Sequence, residues 1–163
     1  MKKMPAITLL FILLSAIPLK AAENISFKGT LLEYPPCKIN DGALVEINFG
    51  EVGVNKVDCE NYAQTFSLKY TCKGARTNAV LRYMGQATAF DHTAVQSNIP
   101  DFGIRLRHQS YDGNVNDFEI GSSVDVPSYS DESTLIASPV KKAGAKLQEG
   151  AFTAAATLQL EYP

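Results

Sequence analysis

The chain has 163 residues, with 15 basic side chains of Lys and Arg against 17 acidic ones of Asp and Glu. This length fits one domain with a single hydrophobic core. The acidic balance argues against proteins that grip nucleic acid or anionic membranes through clustered Lys and Arg, so neither is an expected partner.

The first 22 residues have the pattern of a secretory signal peptide. A basic start precedes an apolar run over residues 7–14, and this run is too short to span a membrane. Cleavage after Ala21 or Ala22 is predicted; cutting after Ala22 leaves 12 basic and 17 acidic residues, a net charge of −5. We therefore expect export of a chain that does not insert into a membrane, to an oxidising compartment where disulfides persist.

An alternating segment follows at the start of the mature chain. The positions on one side of this extended segment are Ile25, Phe27, Gly29 and Leu31. Pro35 and Pro36 come next, and proline lacks the N–H that a central strand donates. The segment is thus separated from the strand expected after Cys37.

The middle of the chain alternates between apolar and polar residues, with turn signals between the runs. One predicted core face contains Phe66, Leu68, Tyr70 and Cys72. Two further predicted strands carry Val45, Ile47 and Phe49, and Phe102, Ile104 and Leu106. Short strands of this kind without a linker predict an all-β fold with one β-sandwich.

The C-terminus carries the most regular alternation. Apolar residues and tyrosine occupy every second position at Phe152, Ala154, Ala156, Leu158, Leu160 and Tyr162. Nothing follows this predicted strand in the sequence. It lies either within the chain's own sheet or at an edge that is meant for another chain.

These features together resemble the pilus subunits of the chaperone–usher pathway of Gram-negative bacteria. The resemblance is carried by Gly150, fourteenth from the C-terminus, by the alternating strand after it and by the penultimate Tyr162. At the front, residues 27–32 resemble the family's N-terminal extension, and residues 47–52 resemble its first-strand signature. Within the family, the chain is most similar to small minor subunits of P-pilus-type tips, meaning adaptors or initiators.

The resemblance implies an incomplete immunoglobulin-like sandwich that lacks its final strand. A periplasmic chaperone lends the missing strand, and a neighbouring subunit's N-terminal extension later replaces it at the outer-membrane usher. The implied domains are a signal peptide at 1–22, a donor-strand extension at 23–36 and a pilin domain at 37–163. The implied location is the periplasm and then an adhesive fimbria at the cell surface.

The resemblance also assigns roles to residues. The donor strand is Ile25, Phe27, Gly29 and Leu31. The strand that binds the chaperone and borders the acceptor groove is Gly150, Phe152, Ala154, Ala156, Leu158, Leu160, Tyr162 and Pro163. Basic chaperone residues hold the carboxylate of Pro163 in this scheme. The alternative for the front segment is a first strand on the chain's own sheet.

The chain has three cysteines, and none has metal-binding or redox spacing. The resemblance pairs Cys37 with Cys72. Cys59 lies in a polar stretch and departs from the family pattern, so we expect it to be exposed. It is a free thiol, it forms a disulfide with another subunit, or it pairs with Cys37 or Cys72 in place of the disulfide between those two.

The sequence nominates no catalytic residue, metal ligand or cofactor, and we expect no enzymatic activity. A secreted β-sandwich module that binds carbohydrate or protein is the alternative function. The position in the fibre stays open among adaptor, initiator, terminator and rod. A tip adhesin would need a second sandwich, for which the mature length leaves no room.

Overall fold

The computed structural model of the chain describes residues 28–31, 33, 36–74 and 77–162. The signal peptide, Ile25, Phe27 and Pro163 lie outside these residues. The chain divides into two units, Met1–Leu32 and Glu33–Pro163. In the first unit, residues 28–31 have no regular secondary structure and are exposed.

Strands dominate the second unit, which confirms the predicted all-β class. In chain order, the strands of its described residues are β1 (Cys37–Ile39), β2 (Gln64–Cys72), β3 (Ala79–Met84), β4 (Ala94–Gln96), β5 (Phe102–Gln109), β6 (Val115–Asp117), β7 (Ser123–Val126), β8 (Glu132–Lys141) and β9 (Thr157–Glu161). Two short 3-10 turns, Asn40–Gly42 and Val54–Lys56, join β1 to β2. Across the part of the chain that is described, no helix has the length and apolar character needed to cross a membrane.

The strands form two antiparallel sheets. The larger sheet has the order β1-β2-β8-β5-β4, with β6 paired to β5, and the smaller has the order β7-β3-β9. Both sheets contribute side chains to one core, for example Leu68 and Leu135 from the first and Leu81 and Val126 from the second. Two sheets that share one core are a β-sandwich, as the sequence predicts.

Strand β2 follows its predicted core face. Leu68 and Tyr70 are buried, whereas Phe66 and Cys72 at either side of them are half-buried. Alternation places these side chains on one face, and the antiparallel register with β8 sets Phe66 opposite Leu135. The period-2 pattern therefore locates this strand and its inner face correctly.

The predicted strand around Val45, Ile47 and Phe49 is different. Residues 43–50 have no strand structure, although Ile47 and Phe49 are half-buried and pack against the core. Alternation directs side chains inward, but a strand also needs a neighbour to accept its backbone hydrogen bonds. Among the described residues, this segment has no such neighbour.

A partly buried ion pair fixes the loop before β4. The Oδ2 of Asp91 accepts hydrogen bonds of 2.9 and 2.7 Å from Nε and Nη2 of Arg105 on β5. Its Oδ1 accepts hydrogen bonds of 2.9 and 2.6 Å from the backbone N and Oγ1 of Thr93. Burial alone raises the pKa of Asp91, but these hydrogen bonds outweigh it and hold the pKa below its ordinary 3.8.

We expect the substitution Asp91→Asn to lower the free energy of unfolding at pH 7 by about 2 kcal/mol, because it removes a charge-assisted pair. The depressed pKa stabilises the fold above pH 3.8, and this contribution disappears as the pH falls through the folded-state pKa. Urea unfolding at pH 7 and at decreasing pH measures both effects. The difference from wild type should shrink below pH 3.8, and the exposed Asp125→Asn should show no comparable loss. A constant difference across this range would contradict the account.

Candidate functional site at the free edge of strand β9

Strand β9 lies at the edge of its sheet. It pairs with β3 on one side, with Leu160 opposite Leu81 and Leu158 opposite Tyr83. No strand of the described residues covers its other side. Leu158, Leu160 and Tyr162 pack against the core but stay half-buried. An apolar row therefore ends at an unpaired strand edge, which is a template for pairing with another chain.

The unpaired segment 43–50 also packs on the hydrophobic core. Its inward side chains Ile47 and Phe49 pack on the core cluster that Leu158 and Leu160 also contact. The rings of Phe49 and Phe152 have centroids 6.1 Å apart. We use the word groove for the predicted acceptor site along residues 43–50 and 152–162.

A small apolar pocket lies where the chain approaches β9. Its volume is about 90 Å³, and its apolar lining is Val52, Val54, Val57, Ile99, Phe102, Leu147 and Phe152. The ring of Phe152 stands edge-on to Phe102, with centroids 4.9 Å apart. The pocket is much smaller than the roughly 300 Å³ of a typical ligand site, so its size suits a single apolar side chain.

The sequence pattern extends the last strand back to Phe152, whereas the structure begins β9 at Thr157. Thr153, which precedes β9, is hydrogen-bonded to Asn98 and is not part of the strand. The Asn98 backbone N donates to the Thr153 carbonyl at 3.1 Å, and its Oδ1 accepts from the Thr153 backbone N at 2.7 Å. Ala154 forms an isolated bridge to Ser97. Ala154 and Ala156 are exposed, so small side chains border this part of the groove.

Gly150 marks the entry to this segment. Its φ is +153°, a value that residues with a side chain rarely adopt, and an added Cβ would meet no atom within 4 Å. Glycine is therefore required here by the backbone conformation. The space around the residue would allow a larger side chain.

We expect Gly150→Ala to destabilise the approach to β9 by about 1–3 kcal/mol through backbone strain alone. Urea unfolding of the purified mature chain measures the loss, with the neighbouring exposed Glu149→Ala as the control. Equal unfolding midpoints for the two variants would refute the requirement for glycine at this position.

The far end of β9 lies beside the disulfide. Cys37 and Cys72 are directly opposite each other in the pairing of β1 with β2, and their sulfurs are bonded. This confirms the pairing that the resemblance implies. The Tyr162 hydroxyl donates a hydrogen bond of 2.6 Å to Sγ of Cys37, since a disulfide sulfur carries no proton. The C-terminal end of β9 is thereby tied to β1.

Cys59 is a free cysteine, as one of the alternatives holds, but it is half-buried where we expected exposure. Its φ of +67° places it in a tight turn. Asp58 closes this turn, because its Oδ1 accepts hydrogen bonds from the backbone N of Glu60 and Asn61. These bonds lower the pKa of Asp58. The polar sequence around Cys59 does not reveal this half-burial.

Of the predicted site residues, Leu158, Leu160 and Tyr162 pack against the core, and Phe152 contacts the rings of Phe49 and Phe102. Of the predicted donor residues, Gly29 and Leu31 are described and exposed. The sequence prediction missed the pocket, whose lining comes from three separate stretches, residues 52–57, 99–102 and 147–152. Local alternation gives no signal for such a set.

The chain is similar in sequence to known fimbrial proteins. Residues 25–163 match the sequence model of a family described as "Fimbrial protein". The uncharacterized fimbrial-like protein YfcQ of Escherichia coli (strain K12) is 30% identical over 152 residues, which cover 91% of this chain and 92% of YfcQ. YfcR of the same organism, also an uncharacterized fimbrial-like protein, is 29% identical over 131 residues, 78% of this chain and 74% of YfcR.

Two solved structures share the fold. The P pilus adaptor subunit PapF matches with a TM-score of 0.62 and 20% identity, over 80% of this chain and 98% of PapF. The P pilus rod subunit PapA matches with a TM-score of 0.57 and 21% identity, over 86% of this chain and 100% of PapA. At these identities the likeness concerns the fold, and it confirms the predicted sandwich class.

Proposed function

Since the chain belongs to the fimbrial protein family, we propose that it is a minor structural subunit, an adaptor or initiator, of an adhesive fimbria. Assembly proceeds by donation and exchange of β-strands through a periplasmic chaperone and an outer-membrane usher. Its chemistry is non-covalent strand addition, and it has no catalytic role. The chain reaches the periplasm through its signal peptide and then the cell-surface fimbria.

The observation that carries this proposal is the free edge of β9 beside half-buried Leu158 and Leu160. A strand added there gains main-chain hydrogen bonds and covers the apolar row of the groove. Selectivity comes from the side chains that alternate along the added strand. The proposed occupant is first a chaperone strand and then the N-terminal segment of a neighbouring subunit.

The pairings in this sandwich support an antiparallel direction for the added strand. Every named strand pair among the described residues is antiparallel. A donor that continues this pattern runs opposite to β9, so its last apolar side chain lies near the start of β9. In the segment Ile25, Phe27, Gly29 and Leu31, that residue is Leu31. We assign the pocket beside Phe152 to the residue equivalent to Leu31 in the neighbouring subunit.

The C-terminal end of the site suits chaperone binding. The Tyr162 side chain is anchored to the disulfide, which holds the residue after β9 in place. In the proposal, the following carboxylate, on Pro163, meets basic chaperone residues and sets the register of the lent strand. A subunit with both a donor segment and a groove suits an internal position in the fibre, as an adaptor or initiator does.

The proposal is tested by the double substitution Ile25→Asp/Phe27→Asp in cells that express the fimbria. The variant should fold and accumulate with the chaperone in the periplasm, because its own groove is intact. It should be missing from purified surface fibres, since charged side chains cannot fill an apolar groove.

Lys28→Ala is the matched control, because Lys28 lies on the opposite side of the donor segment and should leave incorporation unchanged. Quantitative immunolabelling of fibres compares the three chains. Wild-type incorporation of the double variant would refute donation by residues 23–34.

A further inference from the structure

An exposed aromatic pair lies outside the groove. The rings of Tyr111 and Tyr129 have centroids 5.8 Å apart and are inclined by 60°. Their exposures are 54% and 77%, and Val115 nearby in sequence is 44% exposed. Two large side chains that pack on each other in solvent are typical of a contact surface, since tyrosine is enriched where proteins bind each other.

Topology places this pair at one end of the sandwich. Strands β2 and β5 both pair antiparallel with β8, so they run the same way and their last residues lie at the same end. Tyr111 follows β5 directly. Tyr129 lies between Ser128 and Asp131, which line one hollow together with Cys72. This end of the sandwich also carries Cys37, the first residue of β1. We call it the disulfide end.

The donor segment precedes Cys37 in the sequence, and Cys37 lies at this end. Six residue steps separate Leu31 from Cys37, which limits the distance between their Cα atoms to about 20 Å even in a fully extended chain. If Leu31 fills the pocket of an acceptor subunit, the disulfide end of the donor must lie close to that pocket. The two surfaces face each other across a short connection.

We propose that Tyr111 and Tyr129 form a second contact with the subunit that accepts this chain's donor segment, at the rim of the acceptor's pocket. The inference rests on the proposed strand donation. In a second copy of this chain as the acceptor, the rim offers half-buried Val52, Val54 and Leu147 beside the carboxylate of Glu149. Tyrosine fits a rim of this kind, because its ring packs on apolar groups while its hydroxyl bonds to polar ones.

A sugar ligand fits this pair less well. Small-ligand sites are concave, whereas the pair stands on the β5–β6 and β7–β8 turns. Polar side chains close to Tyr111 in sequence also already form hydrogen bonds with one another. Asn114 Nδ2 donates to Asp112 Oδ2 at 2.6 Å, and Asn116 Nδ2 donates to Ser110 Oγ at 2.9 Å.

A strand-donation assay with a second copy of this chain as the acceptor tests the contact. The acceptor lacks residues 23–34 and is refolded with one of two donors. One donor is the free peptide of residues 23–34. The other is the whole mature chain, whose own groove is filled by a further copy of that segment appended behind Pro163. Dissociation is followed after addition of excess unlabelled peptide.

The whole-chain donor should dissociate more slowly than the peptide, and Tyr111→Ala/Tyr129→Ala should speed its dissociation about tenfold or more. Tyr111→Phe/Tyr129→Phe should retain most of the effect, and the exposed Asp125→Ala should change nothing. Thermal unfolding of each donor checks that the substitutions leave the fold intact.

The outcomes separate the two proposals. If neither donor binds, strand donation to a second copy of this chain is wrong, and the contact falls with it. If both bind but the tyrosine substitutions leave dissociation unchanged, only the tyrosine contact is refuted. Binding to a glycan array that is lost in the alanine variant, with unchanged dissociation, would make the pair a sugar site and likewise overturn the inference.

Discussion

Moving residues 23–34 from the front of the mature chain to a position behind Pro163 is expected to raise its unfolding midpoint by about 20 °C. The relocated segment fills the groove within the same molecule. Burial of Ile25, Phe27 and Leu31 contributes about 2 kcal/mol per side chain, or about 6 kcal/mol together. For a domain of this size, each kcal/mol shifts the midpoint by about 3 °C.

The geometry allows a short connection in this rearranged chain. An antiparallel strand begins beside the last residue of its partner, so the segment starts next to the end of β9 at Glu161. A linker of about four residues with glycine is enough for such a hairpin. The native front copy is removed so that it cannot bind a second molecule.

The control for this experiment is the same rearranged chain with Phe27→Asp in the moved segment. Its midpoint should fall back to that of a chain without residues 23–34, because the charged side chain cannot enter the apolar groove. Differential scanning calorimetry compares the three proteins. Identical midpoints for the rearranged chain and its control would mean that the segment does not fill the groove.

The second large effect concerns the disulfide. Replacement of both partners, Cys37→Ser/Cys72→Ser, is expected to lower the free energy of unfolding by about 4 kcal/mol in the chain-entropy view, given a sequence separation of 35 residues. The loss should also loosen β1, which has three residues and pairs only with β2 among the described strands. Because Tyr162 bonds to Cys37, the end of β9 should loosen as well.

Denaturant unfolding of the rearranged chain measures this loss under oxidising conditions. Cys59→Ser serves as the control, since Cys59 forms no disulfide and should change stability little. Dithiothreitol should lower the unfolding midpoint of the rearranged chain with intact cysteines toward that of the double variant. If the double variant and Cys59→Ser unfold at the same denaturant concentration, the disulfide does not stabilise the sandwich.

The sequence allowed the sandwich and much of its inner surface to be predicted. Phe66, Leu68 and Tyr70 in β2, and Phe102 and Leu106 in β5, alternate because one face meets the core and the other meets water. This constraint is local, and it is therefore readable from spacing alone. Leu158 and Leu160 follow the same rule at the C-terminus.

Features that depend on contacts between distant residues were not predictable in this way. Alternation around Ile47 suggests a strand, but a strand also needs a partner, and pairing is a property of the whole fold. The pocket near Phe152 and the ring contact of Tyr111 with Tyr129 join segments that the turns bring together. The half-burial of Cys59 likewise depends on the folded chain and not on the polar residues beside it in sequence.

Amide hydrogen exchange in β9 (Thr157–Glu161) tests most directly whether the chain takes a donated strand. In the mature chain alone, amides of β9 directed toward its free edge should exchange rapidly. On binding the peptide of residues 23–34 they should become protected, while amides in β3 keep their protection. Full protection of β9 in the isolated chain, or of residues 23–31 paired with their own sheet, would contradict strand donation between subunits.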